Sequence, residues 1–184
     1  WRSALTDYGC HLAEATVVGR MIVGLGAESV LENQIALQRT YGVPMIPGSA
    51  LKGLTASYAR RRLQEEQWGA KSEAYRLLFG NADKLKAADG IITFFDALYI
   101  PGSAANGPPL EADIMTVHHP QYYQSGLNAP ADWDSPTPIP FLSATGGYLL
   151  ALAGPDEWVS AAYKILWLAL EEDGIGAKTA SGYG

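Results

Sequence analysis

The stretch Ile46-Pro47-Gly48-Ser49-Ala50-Leu51-Lys52-Gly53 decides how this chain folds, because extended backbone must end and a helix must begin inside it. Pro44 and Pro47 lack the N–H that a helix interior needs, so no helix starts before residue 48. Ser49 is a good N-cap, and Leu51, Leu54, Tyr58 and Leu63 make an apolar stripe. Together they predict a helix from about Ala50 to Gln67. Gly48, Ser49 and Ala50 then lie at a helix start, where free N–H groups and the dipole favour an anion, with Lys52 projecting from the first turn. An N-capped helix with a solvent-exposed lysine explains the same residues without a ligand.

On the N-terminal side, His11 to Gly26 reads as a first strand, rich in β-branched residues and with Gly19 as a bulge. Residues 27–34 form an excursion, and Ile35 to Tyr41 returns as a strand. On the C-terminal side a short helix, Ser72 to Phe79, ends at Gly80-Asn81, and Ile91 to Ile100 is a strongly apolar strand. Pro101 to Pro138 is rich in Pro, Gly, Asn and Asp and reads as a long loop insertion with little regular structure. Phe141 to Ala153 is a strand broken at Gly146-Gly147. Pro155 then opens a helix to about Glu172, with Trp158, Ala162, Ile165, Leu166 and Ala169 inward. The order strand, helix, strand, strand, helix predicts a single α+β domain over residues 1–184, of the ferredoxin-like (RRM-like) kind with loop insertions. Its last strand is expected at or just beyond Gly184. Another two-layer α+β fold is the alternative.

A second glycine-rich run closes the chain: Gly174-Ile175-Gly176-Ala177-Lys178-Thr179-Ala180-Ser181-Gly182-Tyr183-Gly184. The glycines permit positive φ and close approach to a ligand. Lys178 supplies a mobile cation, and Thr179 and Ser181 supply hydroxyl donors. It is not a P-loop, since Ala177 precedes the lysine and the run follows a helix instead of leading into one. Phosphate binding here would rest on the loop's own amides and Lys178, with Glu171, Glu172 and Asp173 turned away. The opposing reading is a tight helix-to-strand connection in which the glycines serve geometry only.

Charge qualifies the picture. The chain carries −6 overall, unlike a generic polyelectrolyte binder. Yet Arg39, Lys52, Arg60, Arg61 and Arg62 fall in a segment without an acid, leaving eight basic against nineteen acidic residues elsewhere, a net −11. One basic face on an acidic body suits RNA on one side and protein partners on the other. A single cysteine, Cys10, excludes an intramolecular disulfide and fits a reducing cytoplasm. The longest apolar stretch, Ile165 to Leu170, is too short to cross a bilayer.

Few residues suit catalysis. His118 or His119, with Lys178, Tyr122 or Tyr123, offers a metal-free route to RNA cleavage through a 2′-hydroxyl. The same residues suit stacking on unpaired bases or a partner contact. Cys10-His11 with His118-His119 matches no zinc spacing, and no cofactor is implied. Asp96 reads as a structural hydrogen-bonding residue, Trp133 as a loop anchor and Trp158 as a core aromatic.

IPGSALKG and GIGAKTASGYG together resemble the signature pair of the RAMP superfamily of CRISPR-associated RNA-binding proteins. VGLGAESVLENQIALQRTYGVPMIPGSALKG, FFDALYI and DIMTVHHPQYY extend the likeness from about Thr16 to Gly184, towards the sixth-subunit family of the type III-B (Cmr) effector. The resemblance implies a RAMP fold and a noncatalytic subunit without cofactor or metal. Such a subunit sits at the end of a backbone filament near the 3′ portion of the guide RNA (crRNA), beside the backbone RAMP subunit and target RNA in a prokaryotic cytoplasm. The family's glycine-rich loop falls on Gly174 to Gly184 and its helix-start motif on Pro47 to Gly53. The expected RNA contacts are Gly48, Ser49, Lys52, Arg60, Gly174, Gly176, Lys178, Thr179, Ser181 and Gly182. Arg39, His118, His119, Tyr122 and Tyr123 are expected at RNA or a partner. The aspartate of target-cutting relatives would fall near Gln34, where Glu32 is the closest acid and no aspartate lies between Gly26 and Pro47. A metal-free RAMP endoribonuclease acting on guide precursors through His118 or His119 is the alternative.

Overall fold

The strand expected over Phe141 to Ala153 divides at its Gly146-Gly147 break into two strands of different sheets. The part from Gly147 onward is apolar at nearly every position, which suits a strand covered on both faces, and it runs through the middle of the main sheet. The computed structural model describes residues 1–25, 35–63, 68–69, 72–81, 87–105, 107–119, 122, 126 and 129–184. Its elements are α1 (Arg2–Asp7), β1 (His11–Thr16), β2 (Leu37–Gln38), β3 (Val43–Ile46), α2 (Gly48–Arg62), α3 (Glu73–Phe79), β4 (Gly80–Asn81) and β5 (Ala88–Asp89). There follow β6 (Thr93–Phe94), β7 (Ala97–Tyr99), β8 (Leu110–Val117), β9 (Thr137–Ala144), β10 (Gly147–Ala153), α4 (Asp156–Glu172) and a 3₁₀ turn at Thr179–Ser181.

The chain is an α+β protein. Its main sheet runs β1-β10-β7-β3-β2, all neighbours antiparallel, with β6 also on β10. The period of two sorts β10 cleanly. Tyr148, Leu150 and Leu152 face the helices, packing with Leu51 and Tyr58 of α2 and Val159, Ala162 and Leu166 of α4. Leu149 and Ala151 face the other way, onto Leu5 of α1. The helix α4 buries Val159, Ala162, Ile165, Leu166 and Ala169, with Trp158 only half-buried.

The predicted strand Ile91 to Ile100 is interrupted. Phe94 pairs with Leu152 and Leu98 with Leu149, so four steps on one strand oppose three on the other: a one-residue bulge at Phe95-Asp96. Its effect is to turn the Asp96 carboxylate onto the start of α2, where it accepts the Gly48 N–H at 2.8 Å. This relocates the cap. The helix begins at Gly48, two residues before the expected start, with Pro47 as N-cap and Ser49 already inside the first turn without a capping bond. It ends at Arg62, short of the expected Gln67, and residues 64–67 lie outside the described ones. Ser72 does cap α3, accepting the Tyr75 N–H at 3.2 Å.

Two further expectations are corrected. The first strand stops at Thr16, and beyond it Arg20 bridges Tyr183 and Met21 bridges Ala144 as isolated pairs. The Pro/Gly-rich region assigned to a loop contains β8 and the start of β9, an eight-pair antiparallel ribbon from Leu110↔Ala144 to Val117↔Thr137. Pro138 and Pro140 obscured it. They occupy alternate positions of β9, so their missing N–H groups fall on one edge, the edge turned away from β8. Met115, Phe141 and Leu110 seat the ribbon on Ile22, Ile35, Leu37 and Tyr183.

Candidate nucleic-acid interface

The closing loop is pinned at Ile175. Burying this side chain beside Leu51, Ile46, Met21 and Val23 contributes about 1.5–3 kcal/mol. The Ala177 N–H donates to the Ile22 carbonyl at 2.7 Å, and a side chain at Gly176 would collide with that same oxygen. Gly174 is packed against Thr179 and Gly184. Both glycines therefore serve close packing. Gly182, with φ 88° and open space around it, is different.

Beyond Ala177 the backbone turns outward. Lys178 adopts φ 61°, ψ 32°, the one left-handed non-glycine among the described residues, and a 3₁₀ turn follows. The turn's own bonds use the N–H groups of Ser181, Gly182 and Tyr183, and the Gly184 N–H reaches the Arg20 carbonyl at 2.8 Å. Among the described residues no acceptor takes the N–H of Lys178, Thr179 or Ala180. A left-handed residue leading into a right-handed turn with open amides is an anion-binding concavity. Thr179, Ala180, Ser181 and Gly182 are exposed around it.

The helix start is built differently. Gly48 is buried, its N–H is spent on Asp96, and a Cβ there would strike the Phe94 carbonyl. The expectation that Gly48 offers its amide to a phosphate is therefore corrected: an internal carboxylate already occupies that place. Ser49 is exposed, Lys52 half-buried, and Gly53, in the second turn, faces open space. Ile46 and Leu51, flanking this start, share one core cluster with Ile175 of the loop. Ile46, Ile175 and Gly184 also line one cavity of about 560 Å³. The two glycine segments thus rise from the same patch of core.

The acids at the end of α4 are engaged by α2. Asp173 pairs with Arg61, while burial first, and then the neighbouring Glu172 carboxylate, raise the pKa of the Tyr58 hydroxyl. Arg60 and Arg62 remain exposed. Arg39 is exposed in the β2–β3 turn.

Sequence reasoning missed the polar hub behind the loop. The Tyr183 hydroxyl donates to Asp113 Oδ2 at 2.7 Å, and Arg20 bridges Glu111, Ser143 Oγ (3.2 Å) and Asp113 (3.7 Å). The Phe141 and Tyr183 rings meet edge-on at 5.7 Å. Tyr183's hydrogen bond, the Ile114 amide and the Arg20 charge hold the Asp113 carboxyl below its usual range, and the same bond raises the tyrosine. The loop and the ribbon are thereby tied together. Asp113 stood in a distinctive motif, but Arg20 carried no local signal.

At the far end of the ribbon, His119 Nδ1 lies 2.8 Å from Asp134 Oδ2, which also accepts the Ala131 N–H at 3.2 Å. The histidine bond is the main cause of Asp134's lowered pKa. His118 and Tyr122 are exposed, and Tyr123 lies outside the described residues. Trp133 is 88% exposed, so it anchors no loop. Four steps of strand, roughly 13 Å, carry the chain from Asp113, where the glycine loop docks, to the end of β8 at Val117, and His119 lies beyond that end. Lys178 and His119 therefore belong to different places. His11 pairs with Asp156 at 2.9 Å, at the other end of the sheet from this ribbon tip. Among the described residues no helix is long and apolar enough to cross a membrane.

Known proteins resemble the chain as a whole. The protein annotated CRISPR system Cmr subunit Cmr6 from Pyrococcus furiosus is 35% identical over 217 aligned residues, covering 90% of this chain and 64% of that relative. This chain thus spans a little under two thirds of that relative's length. The crystal structure of Cmr6 from Pyrococcus furiosus is 34% identical with a TM-score of 0.57, over 95% of this chain and 97% of that one. A cryo-EM structure of the type III-B Cmr-beta bound to cognate target RNA shares the fold at 20% identity, TM-score 0.74, over 99% of this chain and 60% of that one. The RAMP superfamily model matches residues 14–184, from the middle of β1 through the whole glycine loop. With the α+β architecture, that match settles the family: the chain belongs to the RAMP superfamily.

Proposed function

We propose that this protein is a noncatalytic RNA-holding subunit of a type III-B CRISPR effector in a prokaryotic cytoplasm. It grips the 3′ region of the guide RNA at the end of the backbone filament. One observation carries the reading: the three open amides at Lys178, Thr179 and Ala180, framed by a left-handed lysine and exposed hydroxyls. Backbone donors of this kind hold a phosphate without reading sequence, as a guide-binding subunit requires. The relatives named as Cmr subunits support the assembly, and Lys52, Ser49 and Gly53 on the same patch extend the track.

Crosslinking of guide RNA within the assembled complex tests the reading, with adducts expected on the loop and the first turn of α2. For the isolated protein, Lys178→Ala should lower affinity and reduce the slope of log K against log salt by about one. An unchanged slope would remove the loop from the RNA path.

The rival reading, metal-free cleavage of guide precursor, has the His119–Asp134 pair in its favour, since a carboxylate on Nδ1 fixes the tautomer of the ring. The separation of His119 from Lys178 along the ribbon weighs against it. Specific cutting in EDTA that His119→Ala abolishes would establish it instead.

A further inference from the structure

At the opposite end of α4 from the glycine loop, a cleft of about 660 Å³ opens between α3 and the first turns of α4. Trp68 and Trp158 line it together with Leu77 and Ala161, and Glu73 and Glu157 stand at its rim. Fifteen residues of helix from Trp158 to Asp173 put it about 22 Å from the loop. Whatever fills it is not the strand held there.

The composition of this cleft names a chemistry. Indole faces attract cations, and a planar guanidinium both stacks on them and forks onto a carboxylate. The two glutamates lie in the first turns of α3 and α4, where acids suit the helix dipoles, and both are exposed. Among the described residues no basic group lies within ion-pair distance of either, and Arg76, the nearest cation along α3, is outside the lining. Two exposed carboxylates at its rim repel phosphate, so nucleic acid is a poor occupant. The apolar floor of Leu77 and Ala161 suits the aliphatic stem of a long side chain.

We propose that this tryptophan–glutamate cleft is a docking site for an arginine presented by a protein partner. It stands independently of the RNA reading, which concerns the other end of the helix.

The test follows the indole ¹H–¹⁵N signals, assigned with Trp68→Phe and Trp158→Phe, during titration of the intact protein with acetyl-Gly-Arg-Gly-amide. The expected result is a saturable shift of the Trp68 and Trp158 signals that the citrulline peptide, neutral but of the same shape, fails to produce. Glu157→Gln, a charge change at an exposed position that leaves the packing intact, should weaken the arginine peptide about threefold. Equal shifts with arginine and citrulline, no shift with arginine, or shifts produced by a uridine decamer would each overturn the assignment.

Discussion

The two glycine segments look alike in sequence, yet the protein uses them in opposite ways. At the start of α2 the first free amide is turned inward to Asp96, and Gly48 is glycine because the Phe94 carbonyl leaves no room for a Cβ. In the closing loop Gly174 and Gly176 seat the backbone, and the next three amides find no acceptor among the described residues. A glycine beside a lysine is therefore ambiguous until the destination of each N–H is known. The helix start is a buried joint that contributes a lysine. The loop is an open cradle.

The largest expected effect separates joint from cradle. Gly48→Ala must displace backbone at Phe94 and should cost about 2–4 kcal/mol in denaturant unfolding. Gly182→Ala, at positive φ but in open space, should cost only about 1 kcal/mol. Equal losses would erase the distinction. Next, Asp96→Ala removes the cap of α2 at an expected cost of about 1 kcal/mol, measured by thermal unfolding, while the salt slope of RNA binding stays unchanged. A changed slope would mean the Gly48 amide does serve the RNA.

Lys178→Gly sharpens the comparison from the other side. It removes the cation but relieves a left-handed residue, so stability should hold or rise by a few tenths of a kcal/mol while RNA affinity falls. The smallest effect concerns the tie between loop and ribbon. Asp113 is held below the 3.8 of a free aspartate, so its contribution is fully present above that pH and is lost as pH falls through its lower native value. Asp113→Asn should flatten the acid limb of the stability profile below about pH 4, measured by chemical unfolding at a series of pH values. An acid limb as steep as before would assign the tie no such role.

Much of this architecture was legible because it is local. β10 announces itself by unbroken apolarity, α4 by its stripe and Pro155, and α3 by Ser72. The β8–β9 ribbon was hidden because prolines at 138 and 140 read as loop residues, and only pairing with Leu110 to Val117 shows them on an edge. The helix start was placed two residues late because its cap lies 48 positions downstream on a bulge. Within the site, the loop's glycines and Lys178 were visible, but the open amides depend on a left-handed lysine that no pattern encodes. The Arg20–Asp113–Tyr183 hub joins three segments distant in sequence, and only the folded backbone brings them together.

The prolines of β9 have a consequence for how this molecule touches others. A two-stranded ribbon with an open edge normally invites a stranger's backbone to zip alongside it and seed fibrils, and an outer margin missing two donors refuses that invitation. Contacts made at its proline end are read chiefly through side chains, while at the other end Ala144 is already bonded to Met21. They can therefore be altered one residue at a time without unravelling the arm that carries them.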